Sequence, residues 1–221
     1  MTDKRTTLGT FLLAAMLTIM ASAVPAALSA QDTAPKTIDL TNIPQARVGH
    51  WDDIVYGDPK APVEIIEFAS FVCSHCGDFA VKIFPLIKAK YLDTGKARLH
   101  FRNFYNDDFD RTLAVIARCK DNEFAGKLSK DFLTNQAQWM AKGANAAEIL
   151  MGIAANLGLD KTAFENCLNN QPLAAHLYNE RMRFSKEYDF RGTPGVFIDG
   201  VYIGQPLWEK IDAAIQKALN K

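Results

Sequence analysis

The sequence predicts an α/β fold interrupted by a large inserted helical subdomain. Three observations lead there. An apolar run from Val63 to Phe68 reads as a buried strand and passes through Cys73-Ser74-His75-Cys76 into helical spacing at Phe79, Ile83, Leu86 and Ile87. From about Asp107 to Glu187 the pattern is helical throughout, with no strand signal inside it. Strand character then returns at Gly195-Val196-Phe197-Ile198 and Val201-Tyr202-Ile203, which flank Asp199-Gly200, a strong two-residue hairpin signal.

Taken in order, the chain opens with Lys4 and Arg5, an uncharged stretch from Leu8 to Met20, and small residues through Ala30. That layout predicts a signal peptide over residues 1–30, cut after Ala23, Ala26 or Ala30. A retained membrane anchor is the alternative, since residues 6–31 carry no charge. Either reading exports the folded part, and the periplasm is the expected compartment. Residues 31–50 are polar, contain Pro35 and Pro44, and read as a leader too short for an oligomerisation domain. Gly57-Asp58-Pro59-Lys60-Ala61-Pro62 is turn-rich punctuation before the central strand.

The helix after the cysteines should run from about His75 to Tyr91 and kink at Pro85, which lacks an N–H. Asp93-Thr94-Gly95 ends it, and Ala97 to Phe101 forms the next strand. Within the helical block, Leu113 and Ile116 mark one stripe and Phe124, Leu128 and Phe132 another. Asn145 with Glu148 fits a capping box, and Gly158 closes that helix. Asp160 can cap a short helix bearing Phe164 and Cys167; a further helix follows Pro172. Leu207, Ile211, Ile215 and Leu219 mark the last helix, with Pro206 near its first turn. Residues 51–105 and 190–221 are thus expected to form two halves of one domain, with residues 106–189 inserted between them.

Composition is that of an ordinary globular protein, 48% hydrophobic and 23% charged. With 25 basic and 25 acidic side chains and no basic run, nothing points to nucleic acid. The histidines outside the cysteine motif, His50, His100 and His176, have no ligand spacing among themselves, and no Ser-His-Asp arrangement is defensible. Trp139, Phe124, Phe132 and Phe164 read as core or groove wall.

The chemistry concentrates at Cys73-Ser74-His75-Cys76. Two thiols separated by two residues at a helix start can close and open a small disulfide ring. A cysteine in the first turn meets unpaired N–H groups and the positive end of the helix dipole, so its thiolate is favoured. Cys73, nearer the strand tip, is expected to be the exposed nucleophile and Cys76 the buried resolving partner. Two other readings stand beside this one: a zinc or copper site built from Cys73, His75 and Cys76, and a purely structural Cys73–Cys76 disulfide. Four cysteines in an oxidising compartment allow one short-range and one long-range pair.

Gly192-Thr193-Pro194-Gly195 precedes a strand and suggests a tight turn in which Pro194 could be cis, although X-Pro bonds are mostly trans; beside Cys-x-x-Cys the cis reading strengthens. With it, the sequence resembles the DsbA-like thioredoxin family of exported thiol oxidoreductases. The resemblance rests on Ala61-Pro62-Val63, Glu67-Phe68-Ala69-Ser70-Phe71, Cys73-Ser74-His75-Cys76, Arg191-Gly192-Thr193-Pro194 and Phe197-Ile198-Asp199-Gly200, and covers about residues 50–220. It implies a thioredoxin-like fold with Cys73 as nucleophile and His75 stabilising its thiolate. Thr193 and cis-Pro194 would hold an extended substrate, and Glu67 would serve as a buried acid relaying a proton to Cys76. On spacing alone, Glu67 is equally a hydrogen-bonded strand carboxylate. Ser74 departs from the Pro-His dipeptide of the best-known oxidases, which leaves the potential open.

Cys119 and Cys167 both fall in the insert and are expected to pair as one disulfide; two buried free thiols are the alternative. The leading expectation is a monomeric, cofactor-free oxidase that passes its Cys73–Cys76 disulfide to unfolded exported proteins; the resemblance implies that a quinone-linked membrane partner reoxidises it. A reductase or isomerase kept reduced by a membrane donor is the second reading. A chaperone or metal-handling module on the same fold is the third.

Overall fold

The computed structural model describes residues 51–221. The expected signal peptide (1–30), the leader (31–50) and His50 lie outside them. Among the described residues, no helix is long and apolar enough to cross a membrane.

Five strands form one mixed sheet in the order β1-β3-β2-β4-β5. They are β1 (Ile54–Gly57), β2 (Val63–Ala69), β3 (Ala97–Asn103), β4 (Gly195–Ile198) and β5 (Val201–Tyr202). β2 runs parallel to β3 and antiparallel to β4, while β1 and β5 pair antiparallel at the two edges. Burial explains why β2 reads as a near-continuous apolar run: side chains on both of its faces are covered. On one face lies the main core, and on the other a smaller aromatic cluster in which Phe68 stacks on Phe190 and meets Phe184 edge-on.

β2 and β3 are joined by a continuous helical path over residues 74–92. It alternates α1 (Ser74–Asp78), a π-helical turn (Phe79–Ile83), α2 (Phe84–Ile87) and a second π-helical turn (Lys88–Leu92). Pro85 enters in the first turn of α2, and the residue before it, Phe84, donates its N–H to the Phe79 carbonyl across the π turn. The missing proline donor is therefore absorbed by a widened turn. Each π turn holds about one extra residue and rotates the stripe that follows. That is why Leu86, placed on the buried stripe by its spacing, is 43% exposed.

The insert comprises α3 (Asp108–Ala117), α4 (Asn122–Thr134), α5 (Gln136–Trp139), α6 (Ala146–Asn156), α7 (Lys161–Leu168) and α8 (Gln171–Glu187). Five of these begin on a side-chain cap: Asp107, Asp121, Asn145, Asp160 and Asn170 each accept a backbone N–H from three residues on. In the hairpin, Asp199 and Gly200 take φ of 44° and 78°, the two positive values that its turn requires. The last helix, α9 (Trp208–Leu219), starts after Leu207, so Pro206 precedes the helix and does not occupy its first turn.

One side chain fastens the insert to the sheet, and a disulfide ties the insert to itself. Arg118, 3% exposed, donates to Asn103 Oδ1 at 2.7 Å and to the carbonyls of Asp52 and Phe101. Its charge is thereby held by three oxygens, although burial lowers its pKa to about 10. Within the insert, Cys119 at the end of α3 is disulfide-bonded to Cys167 in α7, 48 residues away. Closing a loop of that length restricts the unfolded chain by about 4 kcal/mol. Replacing both cysteines with serine is expected to remove roughly that much unfolding free energy in a non-reducing denaturant titration, with thiol exchange retained. A loss below about 1 kcal/mol would show that the crosslink contributes little.

Candidate active site

The register of the sheet brings two distant segments together. Glu67 on β2 sits opposite Val196 on β4, and Phe68 opposite Gly195. The residues that follow β2 and precede β4 are therefore neighbours at one end of the sheet: Cys73 on one side, Thr193-Pro194 on the other. The Thr193–Pro194 bond is cis. Cys73 takes an extended conformation (φ −84°, ψ 116°) and caps α1, its carbonyl accepting the N–H of Cys76 at 2.9 Å and of Gly77 at 3.2 Å.

Both thiols are free, and their surroundings differ. Cys73 is half-buried. When protonated, its thiol donates to the Thr193 carbonyl at 3.2 Å. Its thiolate is favoured first by the Cys76 thiol, then by the Thr193 side chain and the backbone N–H groups of Cys76 and His75, which together pull its pKa down to about 5. Cys76 is fully buried, and Ser70 N–H approaches its sulfur at 3.5 Å. Burial, then the proximity of Cys73, pushes the Cys76 thiol up. The pair is thus split into a readily ionised sulfur at the surface and a reluctant one beneath it.

Glu67 on β2 is 3% exposed, near enough for its charge to act on Cys76, and its Oε1 lacks a hydrogen-bond partner. It borders a small cavity lined also by Tyr56, Ala80, Phe84, Phe101 and Lys130. Burial lifts its carboxyl to about 8, so it holds a proton at neutral pH. His75 is exposed and reaches Cys73 through its backbone N–H; its ring lines the neighbouring groove. That groove, 560 Å³, runs past His75, Phe79, Thr193, Pro194, Tyr202 and Leu207. Tyr202 and Leu207 are exposed apolar surface, whereas Asp78, Lys82 and Arg191 bring charge to the rim.

The structure thus brings Cys73, His75, Cys76, Glu67, Thr193 and Pro194 into one region and keeps Cys119 and Cys167 apart, inside the insert. His100 and His176 serve elsewhere: His100 Nδ1 meets Asp53 at 3.2 Å, and His176 Nε2 meets the Trp51 carbonyl at 2.8 Å. Sequence reasoning missed two polar groups from the insert that reach the cysteine loop. Asp110, 1% exposed, accepts the N–H of Phe71 at 2.8 Å and of Asn106 at 2.9 Å. Gln136 donates to the carbonyls of Phe71 and Cys73. No spacing rule connects either to the motif; the one available hint was Gly77, a small residue directly after Cys76.

A mixed sheet that sets a Cys-x-x-Cys helix start against a cis-proline loop defines a thioredoxin-fold dithiol protein with a helical insertion. A family model described as Thioredoxin matches residues 50–217, and the chain belongs to that family. A provisionally named protein-disulfide oxidoreductase of Rickettsia conorii is 33% identical over 171 residues, 77% of this chain and 61% of that protein. The chain therefore spans about three fifths of the length of its rickettsial relatives. A provisionally named disulfide bond formation protein D of Bacillus cereus is 25% identical over 75% of this chain and 78% of its own length. Among solved structures, alpha-DsbA1 of Wolbachia pipientis superposes with a TM-score of 0.69 at 27% identity, covering 81% of this chain and 94% of that one. A protein-disulfide isomerase of Novosphingobium aromaticivorans gives 0.66 at 26% identity, over 79% and 98%.

Proposed function

We propose that the protein is an exported thiol:disulfide oxidoreductase that acts as a dithiol oxidase, passing a Cys73–Cys76 disulfide to newly translocated proteins. One observation carries this reading: the half-exposed Cys73 sulfur is stabilised as a thiolate, while Cys76 is sealed beneath it. A substrate thiolate attacks Cys73 Sγ of the disulfide, the Cys73–Cys76 bond breaks, and Cys76 departs as a thiolate. Buried, that thiolate needs a proton, and Glu67 is the protonated acid beneath it. A second substrate thiolate then attacks the substrate sulfur of the mixed disulfide and expels Cys73, which its low pKa makes a good leaving group. Two electrons have passed from the substrate dithiol to the enzyme pair.

Thr193 and Pro194 would hold the extended substrate along the groove, whose apolar wall at Phe79, Tyr202 and Leu207 suits unfolded chains. His75 would add its imidazole to the stabilisation of the Cys73 thiolate. Turnover requires a reoxidant, for which a quinone-linked membrane oxidase is the proposed partner, and the periplasm is the proposed compartment. The likeness to a protein-disulfide isomerase favours a second reading, a reductase or isomerase kept reduced by a membrane donor.

The reduction potential separates them. An oxidase should equilibrate with glutathione near the oxidising end of the range, at about −120 mV, and a thioredoxin-like reductant near −270 mV. The Cys73 thiol should titrate near 5 by thiolate absorbance. His75→Ala keeps the backbone N–H and removes the ring; it should raise that midpoint and lower the potential together. A wild-type value close to −270 mV with both quantities unmoved in the variant would transfer the assignment to the reductase reading.

A further inference from the structure

Asp110 and Gln136 both reach the cysteine loop from the insert, but Gln136 bonds Cys73 itself. Gln136 opens α5 and is 6% exposed. Its Nε2 donates to the Phe71 carbonyl at 2.5 Å and to the Cys73 carbonyl at 2.9 Å. The Cys73 carbonyl thus receives three donors, the other two being the N–H groups of Cys76 and Gly77. Little water competes at this depth, so these bonds hold the peptide firmly.

Gly77 is what admits the carboxamide. It lies inside α1 with no positive φ, a place where alanine would ordinarily be preferred by about 1 kcal/mol. A Cβ there would fall 2.4 Å from Gln136 Oε1 and 3.0 Å from its Cδ. Conformation does not demand glycine here; the space taken by Gln136 does.

We propose that Gln136 is a positioning residue for thiol exchange: it holds the Cys73 peptide so that the Cys73 sulfur stays against the N–H groups of His75 and Cys76 and beside Thr193. This rests on Cys73 being the exchange nucleophile. The role also makes the insert a working part of the site, since α5 determines where the reactive sulfur sits.

Gln136→Met keeps length and neutrality but removes both donors. Cys76 and Glu67 beneath the sulfur, and His75, Asp78, Lys82 and Arg191 around the groove, are all unaltered, so a change in Cys73 traces to the lost amide. In the variant, the Cys73 midpoint, read by the pH dependence of alkylation, should rise by about one unit, a tenfold fall in the thiolate-to-thiol ratio. The potential against glutathione should fall by the same factor, about 30 mV. A folded variant with a lower melting temperature but unmoved midpoint and potential would reduce Gln136 to a packing residue and overturn the proposal.

Gly77→Ala supplies an independent arm. It should displace the carboxamide and raise the midpoint likewise, whereas adding it to Gln136→Ala should change nothing further. Full additivity of the two would reject the proposal. Should Gln136→Met not fold, a folded Gly77→Ala with an unmoved midpoint would reject it as well. Alkylation needs no substrate protein, so this result stands apart from the test of function: an unmodified protein unable to oxidise a reduced substrate would end the oxidase reading, whatever Gln136 does.

Discussion

Cys73→Ala is expected to abolish oxidative refolding of a reduced, disulfide-containing substrate, by a factor of about 10³ or more, the scale on which removal of a nucleophile acts. The reason is positional. Cys76 is fully buried and its thiol is pushed up by burial, so it presents neither an accessible sulfur nor a ready thiolate to take over the attack. Cys76→Ala should fail differently. Cys73 remains at the surface with its thiolate favoured by Thr193 and the N–H groups around it, yet it has no disulfide to pass on, and when it attacks the disulfide of an oxidised substrate nothing beneath it can break the mixed disulfide that forms. Substrate should therefore accumulate as a covalent adduct on Cys73, visible as a reducible band on a non-reducing gel. Equal turnover by Cys73→Ala, or an adduct carried by Cys76, would dismiss the proposed roles.

Glu67→Gln should have the second-largest effect, and its sign depends on pH. Burial raises this carboxyl from 4.5 to about 8. The folded protein therefore binds more protons here than the unfolded chain between those two values, and stability falls as pH rises through that window. The cost is absent below about 4.5, fully present above about 8, and near 3 kcal/mol at pH 7. Glutamine keeps the shape without a titrating proton. In a Cys73→Ala background, which removes the opposing contribution of the thiolate, it should raise unfolding free energy by up to about 3 kcal/mol at pH 7 and leave pH 4 unchanged. With both cysteines intact, the same substitution should slow exchange, since glutamine cannot protonate the departing Cys76 sulfur. An equal gain at both pH values would mean that burial of the charge is not what Glu67 costs.

Much of the fold was legible because its signals are local. The run Val63 to Phe68 has the length and continuity of a strand covered on both faces, and Asp199-Gly200 satisfies a backbone requirement that few other dipeptides meet. The caps at Asn145 and Asp160 bond to N–H groups three residues away, so spacing alone places them. Less visible were features that depend on a partner. β1 is four residues long and forms only by pairing with β3 at an edge. Leu86 escaped the helical stripe because the π turn before it, Phe79–Ile83, rotates the helix, and no periodicity of 3.6 anticipates that turn.

At the site the same division holds. Residue type and spacing were enough to single out Cys73, His75 and Cys76, since a dithiol needs two sulfurs within one helical turn of each other. Sequence determined the candidate dithiol pair, the turn at Thr193-Pro194 and the helical block between them. Only the tertiary structure decided which groups act on each sulfur. The register of β2 with β4 sets Thr193 against Cys73 across 120 residues, and α5 delivers Gln136 to the Cys73 carbonyl from 63 residues away. Burial, which depends on all the elements at once, holds the proton on Glu67 and pushes the Cys76 thiol up, while hydrogen bonds from Cys76, Thr193 and the backbone pull the Cys73 thiol down. Desolvation and long-range hydrogen bonds depend on the packed chain around a residue, and no local spacing along the sequence encodes them.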